Sequence, residues 1–198
     1  MTLFMETTIN ENVHEIGEDH DWILRSQNGD KNAFGLIVQK YMKRAYFTAL
    51  GFVGSHEHAL DLSQEAFVRA YRAIKKLDAN RKFFTWYYAI LRNLCFNHQR
   101  DTAKHARSFS EIGEQQVTRI VDTTNDPLRS TELHELQTAV WQALDKLRDS
   151  EKEIILLRDF QGFSYLEIAE FLNIPKGTVM SRLYNARMSL KSLLSDIV

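Results

Sequence analysis

The last quarter of the chain, residues 150–194, reads as short helices separated by tight turns. Ser150 stands three residues before Glu153, which is the S-x-x-E spacing of a capping box and predicts a helix start. The same spacing recurs at Ser164 and Glu167 and predicts a second start. Gly162 between them suits the end of the first helix, because glycine readily adopts the left-handed conformation there.

A second break at Asn173-Ile174-Pro175 introduces the last helix, since proline is well tolerated in a first helical turn. One face of that helix carries apolar residues at a spacing of about 3.6, namely Val179, Leu183, Ala186 and Leu190. Residues 176–195 hold four Lys or Arg and no Asp or Glu. This pattern predicts a helix-turn-helix whose last helix faces phosphates and base edges. The alternative is a plain helical hairpin with a solvated cationic face.

Charge is segregated along the chain although the formal net charge is only −1. Residues 1–21 hold six acids and no Lys or Arg, whereas residues 22–107 hold fifteen cations and six acids. Residues 108–127 are again acidic. A cationic block followed by a cationic last helix implies a polyanionic partner.

Composition and motifs argue against several other classes. No apolar run is long enough to cross a membrane, and the N-terminus lacks the basic head and apolar core of a secretion signal. The single cysteine, Cys95, cannot form an internal disulfide, which suits a cytoplasmic protein. His56, His58 and His98 do not combine with it at a zinc-site spacing. We expect no catalysis, cofactor, metal, small-molecule substrate or membrane insertion.

The rest of the chain also predicts helices, because it has only two prolines and no alternating strand pattern. Asp30 is the expected cap of one helix, and Asp61 with Gln64 that of the next. The predicted helices cover about residues 21–27, 30–52, 61–74, 83–103 and 128–146. We therefore predict an all-α fold of two small helical domains joined by an acidic linker.

Two sequence blocks within residues 61–100, DLSQEAFVRAYRAI and FFTWYYAILRNLCFNHQR, resemble the second conserved region of bacterial RNA polymerase sigma factors. The pattern G-T-V-x-S-R-L-x-x-A-R, from Gly177 to Arg187, resembles their fourth region. With only these two regions the chain resembles the extracytoplasmic-function (ECF) group. The resemblance covers about residues 21–194 and implies a region 2 domain, a linker and a region 4 helix-turn-helix domain, at residues 21–107, 108–127 and 128–198. The acidic leader, residues 1–20, lies outside it.

The resemblance implies a factor that binds core RNA polymerase, directs it to specific promoters and helps to melt promoter DNA. Asp61, Gln64 and Glu65 match the family's D-x-x-Q-E signature, which implies docking onto the largest polymerase subunit. From the residues alone, the three could equally be caps and solvated side chains. The implied partners are core RNA polymerase, promoter DNA and an anti-sigma factor. The alternative function is a helix-turn-helix regulator that binds duplex DNA without polymerase.

The loop before the fourth helix and the start of that helix match the part of the family that melts and reads the minus-ten element. Melting requires aromatic platforms for unstacked bases and cations for the backbone. We expect Phe83 to contact unstacked bases, whereas Trp86 either does so or packs inward. The candidate residues are Asn80, Arg81, Lys82, Phe83, Phe84, Trp86, Tyr87, Arg92, Asn93, Asn97 and Arg100.

The last helix matches the part of the family that reads the minus-thirty-five duplex. Met180 and Asn185 stand where family members often carry arginine, and Ala89 replaces another customary arginine. Asn185 could instead pair with adenine, because asparagine matches that base with two hydrogen bonds. The candidate residues are Lys176, Thr178, Met180, Ser181, Arg182, Tyr184, Asn185 and Arg187.

The acidic leader prompts one hypothesis beyond the resemblance. Its six acids precede the cationic first domain, so the leader could lie on that domain and compete with DNA. A solubilising tail without structure is the alternative. The acidic linker is expected to follow a path toward the polymerase cleft.

Overall fold

The computed structural model describes residues 19–108 and 138–195, with side chains described up to residue 104 in the first range. Every regular element in these ranges is a helix or a helical turn, which confirms the all-α prediction. Residues 1–18 of the predicted leader and residues 109–127 of the predicted linker lie outside the described residues. The helix predicted at residues 128–146 is described only from residue 138.

The described chain is built from eight helices, numbered here in chain order. Two helical turns extend them, a 3₁₀ turn after α3 and a π-turn after α6. The elements are α1 (residues 19–27), α2 (Lys31–Val53), α3 (His56–Ala73) with its turn (Ile74–Lys76), α4 (Phe83–Ser108), α5 (residues 138–145), α6 (Asp149–Ile155) with its turn (Leu156–Phe160), α7 (Tyr165–Leu172) and α8 (Lys176–Ser195).

The chain divides into two compact units. The described part of the first unit comprises residues 19–49 and 60–108, and that of the second comprises residues 50–59 and 138–195. No helix in the described ranges combines the length and apolar character needed to cross a bilayer.

Aromatic rings from three helices form the core of the first unit. The ring of Phe83 lies 5.5 Å from that of Tyr41 and 5.7 Å from that of Tyr87, measured between centroids. Tyr87 also stacks on Phe67 at 4.4 Å, and its hydroxyl donates to the carbonyl oxygen of Ser63 at 3.0 Å. Helix α4 is therefore anchored to both α2 and α3 through its first turns.

A buried carboxylate ties α1 to α2. Asp19 is 2% exposed, and its two oxygens accept hydrogen bonds from the Tyr41 hydroxyl (2.5 Å) and the Lys40 ammonium (3.0 Å). A buried carboxylate needs such partners to offset its lost hydration. Asp19, which the sequence reading assigned to the leader, is thus part of the first unit.

Two helix starts in the first unit test the capping predictions. Asp30 caps α2 as expected, because its Oδ1 accepts from the backbone N–H groups of Asn32 (2.9 Å) and Ala33 (3.1 Å). The predicted start at Asp61 is wrong. Helix α3 begins at His56, five residues earlier, so Asp61 lies inside a helix whose first turn is already formed.

The helix-turn-helix of the second unit shows the predicted breaks. Gly162 adopts a φ of +67° after α6 and its turn, and Asn173 ends α7 with a φ of 52°. The capping box of Ser164 and Glu167 is confirmed, since each side chain accepts a backbone N–H of the other residue at 3.2 and 2.8 Å. Val179 of α8 is fully buried, as its position on the apolar face predicts.

The first capping box predicted in the second unit, Ser150 with Glu153, is wrong. Helix α6 begins at Asp149, one residue after its N-cap Arg148. The Arg148 guanidinium donates to the Glu151 carboxylate at 2.7 and 3.1 Å, and Ser189 Oγ of α8 donates to the same carboxylate at 3.2 Å. These bonds, with the Arg148 side chain first, hold the pKa of Glu151 below its ordinary value.

Candidate nucleic-acid interfaces

The loop between α3 and α4 is held by hydrogen bonds from α1. The Nε2 amide of Gln27 donates to the carbonyl oxygens of Ile74 (3.0 Å) and Leu77 (2.7 Å). His20 Nδ1 lies 3.1 Å from the carbonyl oxygen of Ala79, within hydrogen-bond reach. Sequence reading missed both positioning side chains, because the residues they join are separated by 47 to 59 positions.

Asp78 forms a turn inside this loop. Its Oδ1 accepts from the backbone N–H of Asn80 at 3.0 Å and from the Asn80 side-chain amide at 3.1 Å. The backbone hydrogen bond is the main reason that the pKa of Asp78 is lowered. Asn80 and Arg81 are exposed, whereas Lys82 is half-buried. The loop therefore presents the Arg81 side chain to solvent from a turn that the Asp78–Asn80 hydrogen bonds hold in place.

The first turns of α4 bury most of their aromatic side chains. Phe83, Phe84 and Tyr87 are 0%, 2% and 0% exposed. The expectation that Phe83 contacts unstacked bases therefore needs correction, and the same holds for Phe84 and Tyr87 as candidate contacts. Their rings fill the core, and each lies 4.4 to 5.7 Å from a neighbouring ring.

The half-buried Trp86 is the aromatic side chain at this helix start that reaches the surface. It meets the Phe83 ring edge-on at 5.9 Å. Further along α4, exposed polar residues at helical spacing lie on the same side of the helix as Trp86. We call this set the α4 polar stripe: Trp86, Asn93, Asn97, Arg100 and Lys104. Lys104 was not among the predicted contacts.

Arg92 lies outside the α4 polar stripe. Its guanidinium sits over the ring of Phe96 at 4.6 Å, and its side chain is half-buried. A cation held over a ring in this way is partly committed to an intramolecular contact. Arg100 is more accessible, with only a weak 3.8 Å approach to the neighbouring Asp101.

The D-x-x-Q-E residues lie on α3. Asp61 and Gln64 are exposed. Glu65 is half-buried and forms a 2.7 Å ion pair with Arg69, one turn further along the helix. The three residues share one side of the helix, because they are separated by three and four positions. Together they form a polar surface on α3, with the carboxylate of Asp61 at its N-terminal end.

Helix α8 separates a buried side from an exposed one. Val179, Leu183 and Ala186 are buried, and Leu190 is half-buried. Thr178 is half-buried, with its carbonyl accepting from Ser181 Oγ at 3.1 Å. The remaining candidate residues of this helix are exposed: Lys176, Met180, Ser181, Arg182, Tyr184, Asn185 and Arg187. All eight candidates therefore lie off the apolar side of α8.

Arg187 differs from the other cations of α8, because it is paired within the second unit. Its guanidinium donates through two nitrogens to the carboxylate of Asp159 in the π-turn, with Nε to Oδ2 at 3.0 Å. This hydrogen-bonded pair raises the pKa of Arg187. Its predicted role as a phosphate contact therefore has to compete with a bidentate ion pair. Among the described residues, no acid pairs with Arg182.

The sequence matches two family descriptions. "Sigma-70 region 2" matches residues 37–105, which lie mostly in the first unit. "Sigma-70, region 4" matches residues 137–190, in the second unit. Both regions therefore occur in one chain, in the order that the resemblance implies.

Curated relatives match over most of the chain. The RNA polymerase sigma-H factor of Pseudomonas aeruginosa is 32% identical over 190 residues, covering 91% of this chain and 96% of that protein. The ECF RNA polymerase sigma factor SigW of Bacillus subtilis is 34% identical over 179 residues, covering 88% of this chain and 96% of that protein.

A solved structure supports the fold. RpoE in complex with the anti-sigma factor NepR from Bartonella quintana matches with a TM-score of 0.66 at 22% identity. The match covers 82% of this chain and 96% of that one. CnrH, solved in complex with the cytosolic domain of CnrY, gives a TM-score of 0.63 at 23% identity, over 90% and 98% of the two chains.

Proposed function

The chain belongs to the ECF sigma factors of bacterial RNA polymerase, and we propose that its two units recognise the two elements of a promoter. As a sigma factor it binds core polymerase, directs it to specific promoters and takes part in transcription initiation. The observation that carries this assignment is the presence of both sigma regions, in order, in one chain. The alternative of a regulator independent of polymerase would leave the region 2 match without a role.

We propose that the chain acts as a non-catalytic factor in the cytoplasm, where its polymerase and promoters are. Burial raises the pKa of the Cys95 thiol to about 12, so the side chain is a poor nucleophile at neutral pH. Within the described ranges, no group of three His, Cys, Asp or Glu side chains is placed to hold a metal ion.

The minus-ten element is assigned to the first unit. The loop before α4 offers Asn80 and Arg81 in a formed turn, and the α4 polar stripe offers an aromatic edge followed by amides and cations. Single-stranded DNA binds to such surfaces by stacking on the aromatic ring and by phosphate contacts along the cations. Trp86 takes the stacking role that the sequence reading gave to Phe83. The buried rings beneath it keep the helix start rigid.

Polymerase docking is assigned to α3. Asp61 and Gln64 are free to meet a partner on the solvent side, and Glu65 is preoriented by Arg69. The minus-thirty-five element is assigned to α8, whose exposed side bears cations and amides without an acid. One small helix makes few phosphate contacts, so tight binding requires both units to be held together by polymerase.

We infer two further partners or contacts. An anti-sigma factor is a fitting protein partner, since the similar protein RpoE was solved in complex with the anti-sigma factor NepR. We propose that the acidic leader competes with DNA for the first unit. The leader is taken to end at residue 18, because Asp19 accepts hydrogen bonds from Lys40 and Tyr41 within that unit. Deleting residues 2–18 should raise polymerase-dependent promoter binding at low salt, and unchanged binding would remove the proposal.

Run-off transcription tests the assignment directly. Core polymerase from a related bacterium is incubated with a genomic promoter library, with and without this protein. We expect new, discrete start sites only when both are present. A D61A/Q64A double variant should lose these transcripts together with polymerase binding. Transcripts that are the same with and without the protein would contradict the assignment.

A further inference from the structure

Helix α8 exposes large apolar side chains where a DNA-binding helix usually presents polar ones. Met180, Tyr184 and Met188 are 53%, 66% and 51% exposed. They are four residues apart, so they form one continuous line along the helix, named here the apolar stripe of α8. The buried side of the same helix is separate from this line and is made by Val179, Leu183 and Ala186.

The apolar stripe has no function in the described fold. Its three side chains lie on the solvent side, beside a polar line formed by Thr178, Ser181 and Asn185. Single exposed apolar residues are common, but three at a regular helical spacing indicate a contact surface. The outer side of α8 is thus divided lengthwise into an apolar half and a hydrogen-bonding half.

The charge and shape around the stripe favour duplex DNA as the occupant. Residues 176–195 contain no Asp or Glu, and Lys176, Arg182 and Lys191 are exposed around the outer side. Gly177 is exposed at the first turn, and a Cβ placed there would meet nothing within 4 Å. Glycine costs a helix about 1 kcal/mol relative to alanine, so a bare turn suits a closely approaching partner. A cationic surface is poorly matched to a basic protein but well matched to phosphates.

We propose that Met180 and Tyr184, followed by Met188, recognise the methyl groups of thymines in the upstream promoter element. The proposal rests on the assignment of α8 to that element. In the major groove the C5-methyl of thymine is the apolar feature that a base edge offers, and apolar side chains contact it. The N-terminal part of such a helix faces the bases, so Met180 and Tyr184 lead. The stripe spans about 12 Å, or roughly four base pairs.

Replacement of thymine by deoxyuridine tests the proposal, because uracil lacks only the methyl group and keeps every hydrogen-bonding atom. Duplexes carrying the upstream element of a promoter found by run-off transcription are made with thymine or with uracil, position by position. Binding of the complete polymerase complex is then measured. We expect a loss of roughly fourfold for each contacted methyl, the size expected for one buried carbon. The sensitive positions should fall within four consecutive base pairs.

Variants connect the effect to the stripe. M180A and Y184A should each bind thymine and uracil duplexes equally at the position they contact, whereas M180L should keep the preference. K191A is the matched control on the same helix and should leave the thymine-to-uracil ratio unchanged. Because the side chains of Met180, Tyr184 and Lys191 are all exposed, the variants are expected to fold, which circular dichroism checks.

Each outcome decides between the assignments. Equal binding of thymine and uracil duplexes at every position, with promoter binding intact, overturns methyl recognition and leaves the stripe to a protein partner. A thymine preference that M180A and Y184A retain also overturns it. If polymerase binds no promoter duplex in a way that requires this protein, the sigma-factor assignment fails, and methyl recognition fails with it.

Discussion

At the scale of the residue, ion pairing decides which cations of α8 are available to the proposed DNA contact. Arg182 is exposed, and no acid among the described residues pairs with it. Arg187 is exposed as well, but its guanidinium forms a bidentate pair with the carboxylate of Asp159. This pair joins α8 to the turn after α6. We interpret Arg187 as an orienting residue of the helix-turn-helix.

The first prediction separates these two arginines. R182A should weaken promoter binding and reduce the salt dependence by about one phosphate contact, without a large change in stability. R187A should lower the free energy of unfolding by about 1 kcal/mol or less, because the pair is partly exposed. Salt titrations of binding and thermal unfolding measure the two effects. D159A should destabilise as R187A does, and equal salt slopes for R182A and wild type would contradict the account.

The second prediction concerns the aromatic residues of α4. F83A should destabilise the first unit by about 3–5 kcal/mol, since it removes a fully buried ring. W86A should unfold at nearly the wild-type denaturant concentration but lose most promoter melting. Chemical denaturation and open-complex assays measure the two effects. A stable F83A protein with a melting defect, or a W86A protein that melts promoters normally, would reverse these roles.

The burial of Phe83 also shows what the sequence could not reveal about the site. The row of aromatics and cations at residues 80–87 marked this segment as a candidate DNA contact. Which ring faces outward depends on Tyr41 and Phe34, which are more than forty residues away and on another helix. Local periodicity carries no information about such a contact, so it could neither reveal that Phe83 is buried nor decide between the two alternatives left open for Trp86.

At the scale of the element, helix existence was predictable, whereas two helix starts were not. Ser164 with Glu167 and Asp30 cap helices as predicted. Asp61 with Gln64 has the same spacing but lies inside α3, because the chain had already turned at Gly54 and begun the helix at His56. A capping pattern is local, so it cannot exclude a helix that started earlier.

The loop before α4 is an element whose shape depends on α1. The third prediction is that Q27A loosens it, because the carbonyl groups of Ile74 and Leu77 lose their shared donor. We expect a stability loss of about 1–3 kcal/mol and a larger effect on promoter melting than on duplex binding. Hydrogen exchange and open-complex formation measure both. Q39A, an exposed glutamine on α2, is the control, and equal effects of the two variants would contradict the role of Gln27.

The contact between α6 and α8 depends on pH through Glu151. Its pKa is lowered by Arg148 first, so its stabilising contribution is present above the unfolded-state value and is lost as pH falls through the lower folded-state pKa. The fourth prediction is that E151Q costs about 1–2 kcal/mol at pH 7. The difference between wild type and variant should shrink below about pH 4.5. Unfolding curves from pH 7 to 3 measure it, and a difference that grows on acidification would have the wrong sign.

At the scale of the whole molecule, promoter opening is expected to require two units that are each weak alone. In the proposed assignment, the first unit offers a small surface for single-stranded DNA and the second offers one helix for duplex DNA. Joining two weak contacts on one scaffold raises the effective concentration of the second contact. The two regions recognisable in the sequence predicted a chain of two domains. They could not predict how strongly binding by one domain assists binding by the other.

Permanganate oxidation of unpaired thymines is the sharpest test of this requirement for two units, because it reports opened DNA at single positions. On a promoter identified by run-off transcription, we predict reactive thymines in the minus-ten element only when this protein and core polymerase are both present. Scrambling the upstream element should strongly reduce the signal. Reactive thymines with the protein alone, or no reactivity with the complete polymerase complex, would contradict the account.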